Sequence, residues 1–336
     1  MRRLIVFIAV AALLVISEGS AWATKPGPGS STGTGQVFFP NPVAQLQDQS
    51  LTDQKDANYA ALQAAYRTRG LTNLDGSGFL AGDWALVVSE TGNPAYSATN
   101  AFIYTRDQDE FEQVMAYYWV TEAQKYIQSL GFGSTRRPVN MEQQRIRINQ
   151  WGADNSFAND HKTSELRFGK GGVDDAEDAE VILHEYGHAI HFSQNFSFAS
   201  EEAGAISEGF GDYWAGTVTN VIAPTPDPAC IADWDATSYT SRVPHCLRRL
   251  DTNLIYPRDL SGEVHHDGQM WSRALWDIRT AIGNVKADTT ILEAQFDFPG
   301  TTMTELATRT VATAKRLYGN ATANAVRAAF EARGIL

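Results

Sequence analysis

An α+β fold with two lobes is what the sequence predicts, and three observations predict it. Strands and one long helix come first, the pattern turns helical from Asp175, and past residue 200 it is mostly helices joined by loops. That order belongs to an α+β chain and not to a regular βαβ alternation. No internal repeat is visible. At 43% hydrophobic and 20% charged, 336 residues can bury a sizeable core, which excludes wholesale disorder. The formal charge of −12 excludes the basic field of a general nucleic-acid binder. The two cysteines, Cys230 and Cys246, are too few for a disulfide-built miniprotein or a four-cysteine zinc ribbon.

The elements follow in order. Arg2 and Arg3, the apolar run Leu4 to Ile16 and Ala21-Trp22-Ala23 read as a signal peptide over 1–23. The run is shorter than the roughly 20 residues a membrane span needs. An exported, secreted or periplasmic protein without stable membrane insertion is expected. Residues 24–35 are rich in Gly, Pro, Ser and Thr and read as a flexible tail. Residues 36–98 form a small N-terminal segment with a helical stretch at Leu62 to Tyr66, a turn at Asp75 to Gly78 and a strand at Trp84 to Val88.

An N-terminal lobe is expected over 99–195. It opens with a strand at Ala101 to Tyr104. From Asp107, apolar residues at Phe111, Val114, Met115, Tyr118, Ala123 and Ile127 have helical spacing, and Gly131 and Gly133 end the run. Arg145 to Asn149 alternates as a half-buried strand, Leu166 to Phe168 is a short strand, and Asp178 to Phe192 is helical. A mainly helical C-terminal lobe covers 196–336. In an oxidising compartment Cys230 and Cys246 can close a Pro-rich loop, a bridge worth roughly 3 kcal/mol.

His184-Glu185-Tyr186-Gly187-His188 is the strongest chemical signal. Residues at i and i+4 share a helix face, so both imidazoles can meet one ion. Glu185 is offset around the helix, beside the metal and not on it, where a general base for a metal-activated water has to be. A catalytic zinc site needs a third protein ligand. Glu208 lies 20 positions after His188 on a second helical stretch, Glu201 to Asp212. Asp212, one turn beyond, can accept the second ring N–H of His184.

This constellation resembles the thermolysin and fungalysin-like zinc endopeptidases, gluzincins that use two His and a Glu. The family's second helix carries its Glu ligand at the same 20-residue step, and Ser207-Glu208-Gly209-Phe210-Gly211-Asp212 matches at Glu and Asp. Asp154-Asn155-Ser156-Phe157 is similar to the family's N-N-A-F segment, an edge strand that pairs with substrate. Glu263 to Trp271 looks like the fungalysin V-H-x-x-G-x-x-W stretch, and Leu247-Arg248-Arg249-Leu250 like its R-R segment.

The resemblance implies a two-lobed, thermolysin-like zincin that hydrolyses protein or peptide substrates, acts as a monomer and holds one catalytic Zn2+ on His184, His188 and Glu208. It makes Glu185 the base and His265, or its neighbour His266, the group that stabilises the oxyanion. Asn155 and Ser156 would bind the substrate backbone, and Arg248, ahead of Arg249, the substrate carbonyl near the primed pocket. The family suggests an apolar subsite preference. The Tyr that precedes the family's Glu ligand by nine residues is Ala199 here, leaving Tyr213, Tyr239 and Tyr256 as substitutes. The family's double calcium site has no match in Gly216 to Ala223. The acidic run Asp174, Asp175, Asp178 and Glu180 could hold Ca2+, but charge at a helix N-terminus explains it more simply. A non-catalytic zinc-containing scaffold and a zinc hydrolase of non-peptide substrates share the motif and stand as alternatives.

Overall fold

Residues 31–89, 91–159 and 165–336 are described in this computed structural model. The expected signal peptide, 1–23, and the start of the expected tail lie outside them. The tail ends sooner than expected, because Ser31–Val37 is strand β1. It is followed by α1 (Pro42–Leu46), β2 (Arg67–Leu74), β3 (Ala85–Val87) and β4 (Ala101–Phe102). β1 lies between β2, antiparallel, and β4, parallel. Its glycines serve close packing: a Cβ on Gly33 would sit 2.3 Å from the Asn100 carbonyl oxygen, and one on Gly35 would sit 2.6 Å from Val114 Cγ1. Nor do residues 36–98 stand apart. Val37, Phe38, Leu71, Leu74 and Leu80 join the main core, with the Phe38 ring 4.8 Å from that of Phe111.

α2 (Glu110–Ser129) has almost no exposed face. Phe111, Val114, Met115, Tyr117, Trp119 and Val120 are all buried, as expected of a helix that is covered on every side. It packs against β1, β3, β5 (Gln144–Arg147) and α3 (Ala179–Ser193), and β6 (Phe157–Ala158) and β7 (Glu165–Arg167) lie beyond β5 against α3. A four-stranded sheet runs β3-β5-β7-β6, parallel except for the antiparallel edge strand β6. The alternation read in the sequence explains its two faces. Ile146 and Leu166 are buried, while on the other face Glu165 pairs with Arg145 (3.0 Å), Arg147 (3.1 Å) and Arg167 (2.8 Å).

The acidic run before α3 is not a solvated helix end. Asp178 caps α3, accepting from the Glu180 N–H at 2.9 Å. Glu177 is buried and paired with Arg106 at 2.9 Å. Glu180 accepts from the Thr219 hydroxyl (3.0 Å) and the Ala232 N–H (2.7 Å). Dipole complementarity therefore covers only the cap.

α4 (Glu201–Ile222) starts at Ser200, whose hydroxyl oxygen accepts from the Ala203 N–H. β8 (Cys230–Ile231) and β9 (Arg248–Arg249) form a small ladder, stapled by the expected Cys230–Cys246 disulfide. Helices α5 (Val264–Ile282), α6 (Asn284–Gln295), α7 (Met303–Tyr318) and α8 (Asn320–Glu331) complete the chain. Asp288 of α6, fully buried, accepts from Tyr126 of α2 and from Tyr213 and Thr217 of α4, tying three helices together. The result is a mixed α+β architecture with eight α-helices and small sheets among the described residues.

Two glycine contacts bring the functional helices together. A Cβ on Gly187 of α3 would lie 3.0 Å from Gly211 Cα on α4. Between α4 and α5, a Cβ on Gly209 would lie 2.2 Å from the Gly268 carbonyl oxygen. Larger residues would hold these helices apart and their polar side chains out of reach.

Candidate active site

α3 presents His184 and His188 on one face, their rings 4.9 Å apart and at 88° to each other. Glu208 reaches across from α4. One of its oxygens is 3.2 Å from His184 Nε2 and the other 3.6 Å from His188 Nε2. The ligand atoms of these three residues lie within 4.8 Å of one another. Each imidazole spends its Nδ1 elsewhere. His184 Nδ1 donates to Asp212 at 2.9 Å, and His188 Nδ1 bonds the Ser207 hydroxyl at 2.8 Å. Both Nε2 atoms therefore turn toward Glu208, and two nitrogens with one carboxylate suit zinc. Burial opposes a charged His184, yet Asp212 and Glu208 outweigh it and raise the ring to about 10. That is the field of a site made for a cation.

Asp212 is 1% exposed and does two jobs. Besides His184 it accepts from Arg248 Nε at 2.7 Å and Nη2 at 2.8 Å. Burial would raise its carboxyl, but the Arg248 guanidinium and the His184 N–H hold it at about 2. Glu185 has the opposite environment. Burial pushes it up to about 7, and one of its carboxyl oxygens is buried without a partner.

A cleft of ≈ 500 Å³ runs past these groups. His265, at the start of α5, lines it, with Nε2 3.3 Å from Glu208 and Nδ1 held by Glu263 at 2.7 Å. His266 instead bonds Asp267 at 2.9 Å. Asn155 and Ser156 line the cleft from the coil before β6, so of the segment likened to N-N-A-F only its last residue, Phe157, is in the edge strand. Tyr239 lines the cleft with its hydroxyl on Asp154. Tyr213 is tied to Asp288, and the Tyr256 hydroxyl donates to Glu202 at 3.3 Å.

Ser207 was not among the residues singled out, although it sits beside Glu208; its hydroxyl also contacts His191 Nδ1 at 3.0 Å. Asp175 and Asp235 were missed as cleft residues too, since 60 positions separate them.

Residues 76–326 match the Fungalysin metallopeptidase (M36) family. The chain belongs to that family. As a fungalysin metallopeptidase it is a zinc metalloprotease, a hydrolase whose substrates are proteins or peptides. The fold agrees. The precursor of protealysin, a metalloproteinase from Serratia proteamaculans, superposes with a TM-score of 0.58 over 90% of this chain and 99% of its own, at 15% identity. Among curated protein sequences, none matches this fungalysin. No helix of the described residues is long and apolar enough to cross a membrane.

Proposed function

We propose that this fungalysin is a secreted endopeptidase in which His184, His188 and Glu208 hold one zinc ion and Glu185 is the general base. One observation carries the reading. Three metal-type donors face one another, and the neighbouring Glu185 keeps a buried carboxyl oxygen with no protein partner. Zinc in that position supplies Lewis acidity, polarising a carbonyl and bringing the pKa of water to about 7.

The side chains move the protons. Glu185 takes one from water as the new C–O bond forms, and returns it to the amide nitrogen as the C–N bond breaks, leaving a carboxylic acid and an amine. A carboxyl held by burial at about 7 is matched to both tasks near neutral pH. His265 Nε2, its ring steadied through Nδ1 by Glu263, donates to the charge that develops on the carbonyl oxygen. Arg248 commits Nε and Nη2 to Asp212 and offers Nη1 to a substrate carbonyl on the leaving-group side. Asn155, Ser156 and the edge strand β6 hold the extended peptide by backbone pairing.

In this reading 1–23 is a signal peptide, and residues 99–195 and 196–336 are two catalytic lobes of a monomer with the cleft between them. Glu185→Gln is expected to retain zinc and to cut peptides about 10²–10⁴-fold more slowly. A casein or peptide digest, with and without a zinc chelator, measures this. Cleavage by the variant at the parent rate would rule Glu185 out as the base.

A further inference from the structure

The cleft carries more acid than the reaction uses. Asp154, Asp175 and Asp235 line it, and their carboxylate oxygens lie within 4.8 Å of one another. Asp175 and Asp235 are 2% and 3% exposed, and each has an Oδ1 with no hydrogen-bond partner. Ser156 and Tyr239 donate to Asp175 and Asp154, but no Arg or Lys of the described residues pairs with any of the three. Arg248, which lines the same cleft, is spent on Asp212. Burial pushes Asp175 up to about 8 and Asp235 well above the carboxylate range, and neighbouring carboxylates add to both. Buried carboxyls left in this state are costly unless a cation meets them.

Apolar side chains share the cleft with the cluster. Val181, Ile231, Ala232 and Leu247 line the same cleft. An aliphatic stem with a charged head suits a cleft that offers both apolar wall and a buried acidic cluster. A bare divalent ion gains nothing from those walls.

We propose that this pocket binds the Lys or Arg side chain of the substrate residue that follows the scissile bond. The assignment rests on the endopeptidase reading above, with Arg248 on the leaving-group side, and it replaces the apolar preference that the family resemblance suggested. A guanidinium or ammonium would meet three carboxylates there and satisfy the two orphaned oxygens. Charge-assisted hydrogen bonds of this kind are worth roughly ten- to a hundredfold in discrimination.

The test is a peptide-library digest by the mature zinc-loaded enzyme, with products sequenced and kcat/KM measured on matched Arg, Lys and Leu substrates. The expected result is Lys or Arg at the new N-terminus, with an Arg/Leu ratio of at least about ten. In Asp175→Asn and Asp235→Asn, both isosteric, that ratio should fall about tenfold or more. Cleavage with no basic preference, or a preference that both variants retain, overturns the pocket assignment and leaves the endopeptidase standing. No cleavage of any library member overturns both. Equilibrium dialysis against Ca2+ and Zn2+ supplies the remaining arm. An equivalent of Ca2+, or a second equivalent of Zn2+, lost in Asp235→Asn together with an apolar cleavage preference would make the cluster a metal site and refute the proposal.

Discussion

Asp212→Ala removes one small carboxylate and should be felt in two separate measurements. Asp212 is 1% exposed, accepts two hydrogen bonds from Arg248 and one from His184, and has no solvent to replace it. Without it the Arg248 guanidinium, whose side chain is 14% exposed, stays in the interior with no anion. Breaking a buried pair in this way costs about 3–5 kcal/mol. The second effect concerns the metal. His184 loses the acceptor that fixes its tautomer, and such partners change metal affinity by about 10–100-fold, or about 1.4–2.8 kcal/mol. Urea unfolding of the chelator-stripped protein isolates the first effect, and zinc competition against a chromophoric chelator isolates the second. The double variant Asp212→Ala/Arg248→Met should recover part of the lost stability but none of the lost zinc affinity, because it removes the orphaned charge and leaves His184 unsupported. Loss of less than about 1 kcal/mol with unchanged zinc binding would refute the coupling of Asp212 to both partners.

Three further outcomes are expected. Gly211→Ala would place a Cβ 2.7 Å from His184 Nδ1, so it should destabilise the protein by about 1–3 kcal/mol and weaken zinc binding, read by melting and metal titration; a normal zinc affinity would show that the helices can part without loss. Ser207→Ala removes the hydroxyl shared by His188 and His191, and a drop of about tenfold or more in zinc affinity is expected. Stability of the metal-stripped protein should fall as pH rises from about 5 to 9. Burial raises Asp174 to about 9 and Asp233 to about 8, above the roughly 3.9 of an unfolded Asp. The folded state therefore holds protons that the unfolded chain has already released, and each such group removes about 1.4 kcal/mol per pH unit until it ionises. Asp233→Asn should flatten the slope, and an unchanged slope would remove Asp233 from the account.

The parts of the site that were legible in the sequence are those whose partners are a fixed number of residues away. His184 and His188 converge because i and i+4 share a helix face, and the step to Glu208 could be counted directly. The tail was misjudged for an identifiable reason. Gly33 and Gly35 raised the glycine content of a segment that looked flexible, yet each is there because Asn100 and Val114 leave no room for a Cβ. Composition does not distinguish a glycine that loosens a chain from one that lets another backbone approach. The acidic run misled in a similar way, because charge count says nothing of burial, and Glu177 and Asp178 are fully buried.

By itself the sequence pointed to the helix carrying His184 and His188, to the ligands and the base to expect around it, and to the pairing of the only two cysteines. All of these follow from helical periodicity or from counting. Only the tertiary structure decided that Arg248 grips Asp212, that His265 and not His266 faces Glu208, and that Asp154, Asp175 and Asp235 meet in the cleft. The physical reason is the same in each case. These groups sit on separate elements, and close packing brings them together: at Gly187, Gly209, Gly211, Gly268 and the β8–β9 ladder for the first two, and at Gly172, where a Cβ would sit 2.4 Å from Asp154 Oδ2 and 2.5 Å from Ser238 Oγ, beside the carboxylates; none of these has a period along the chain.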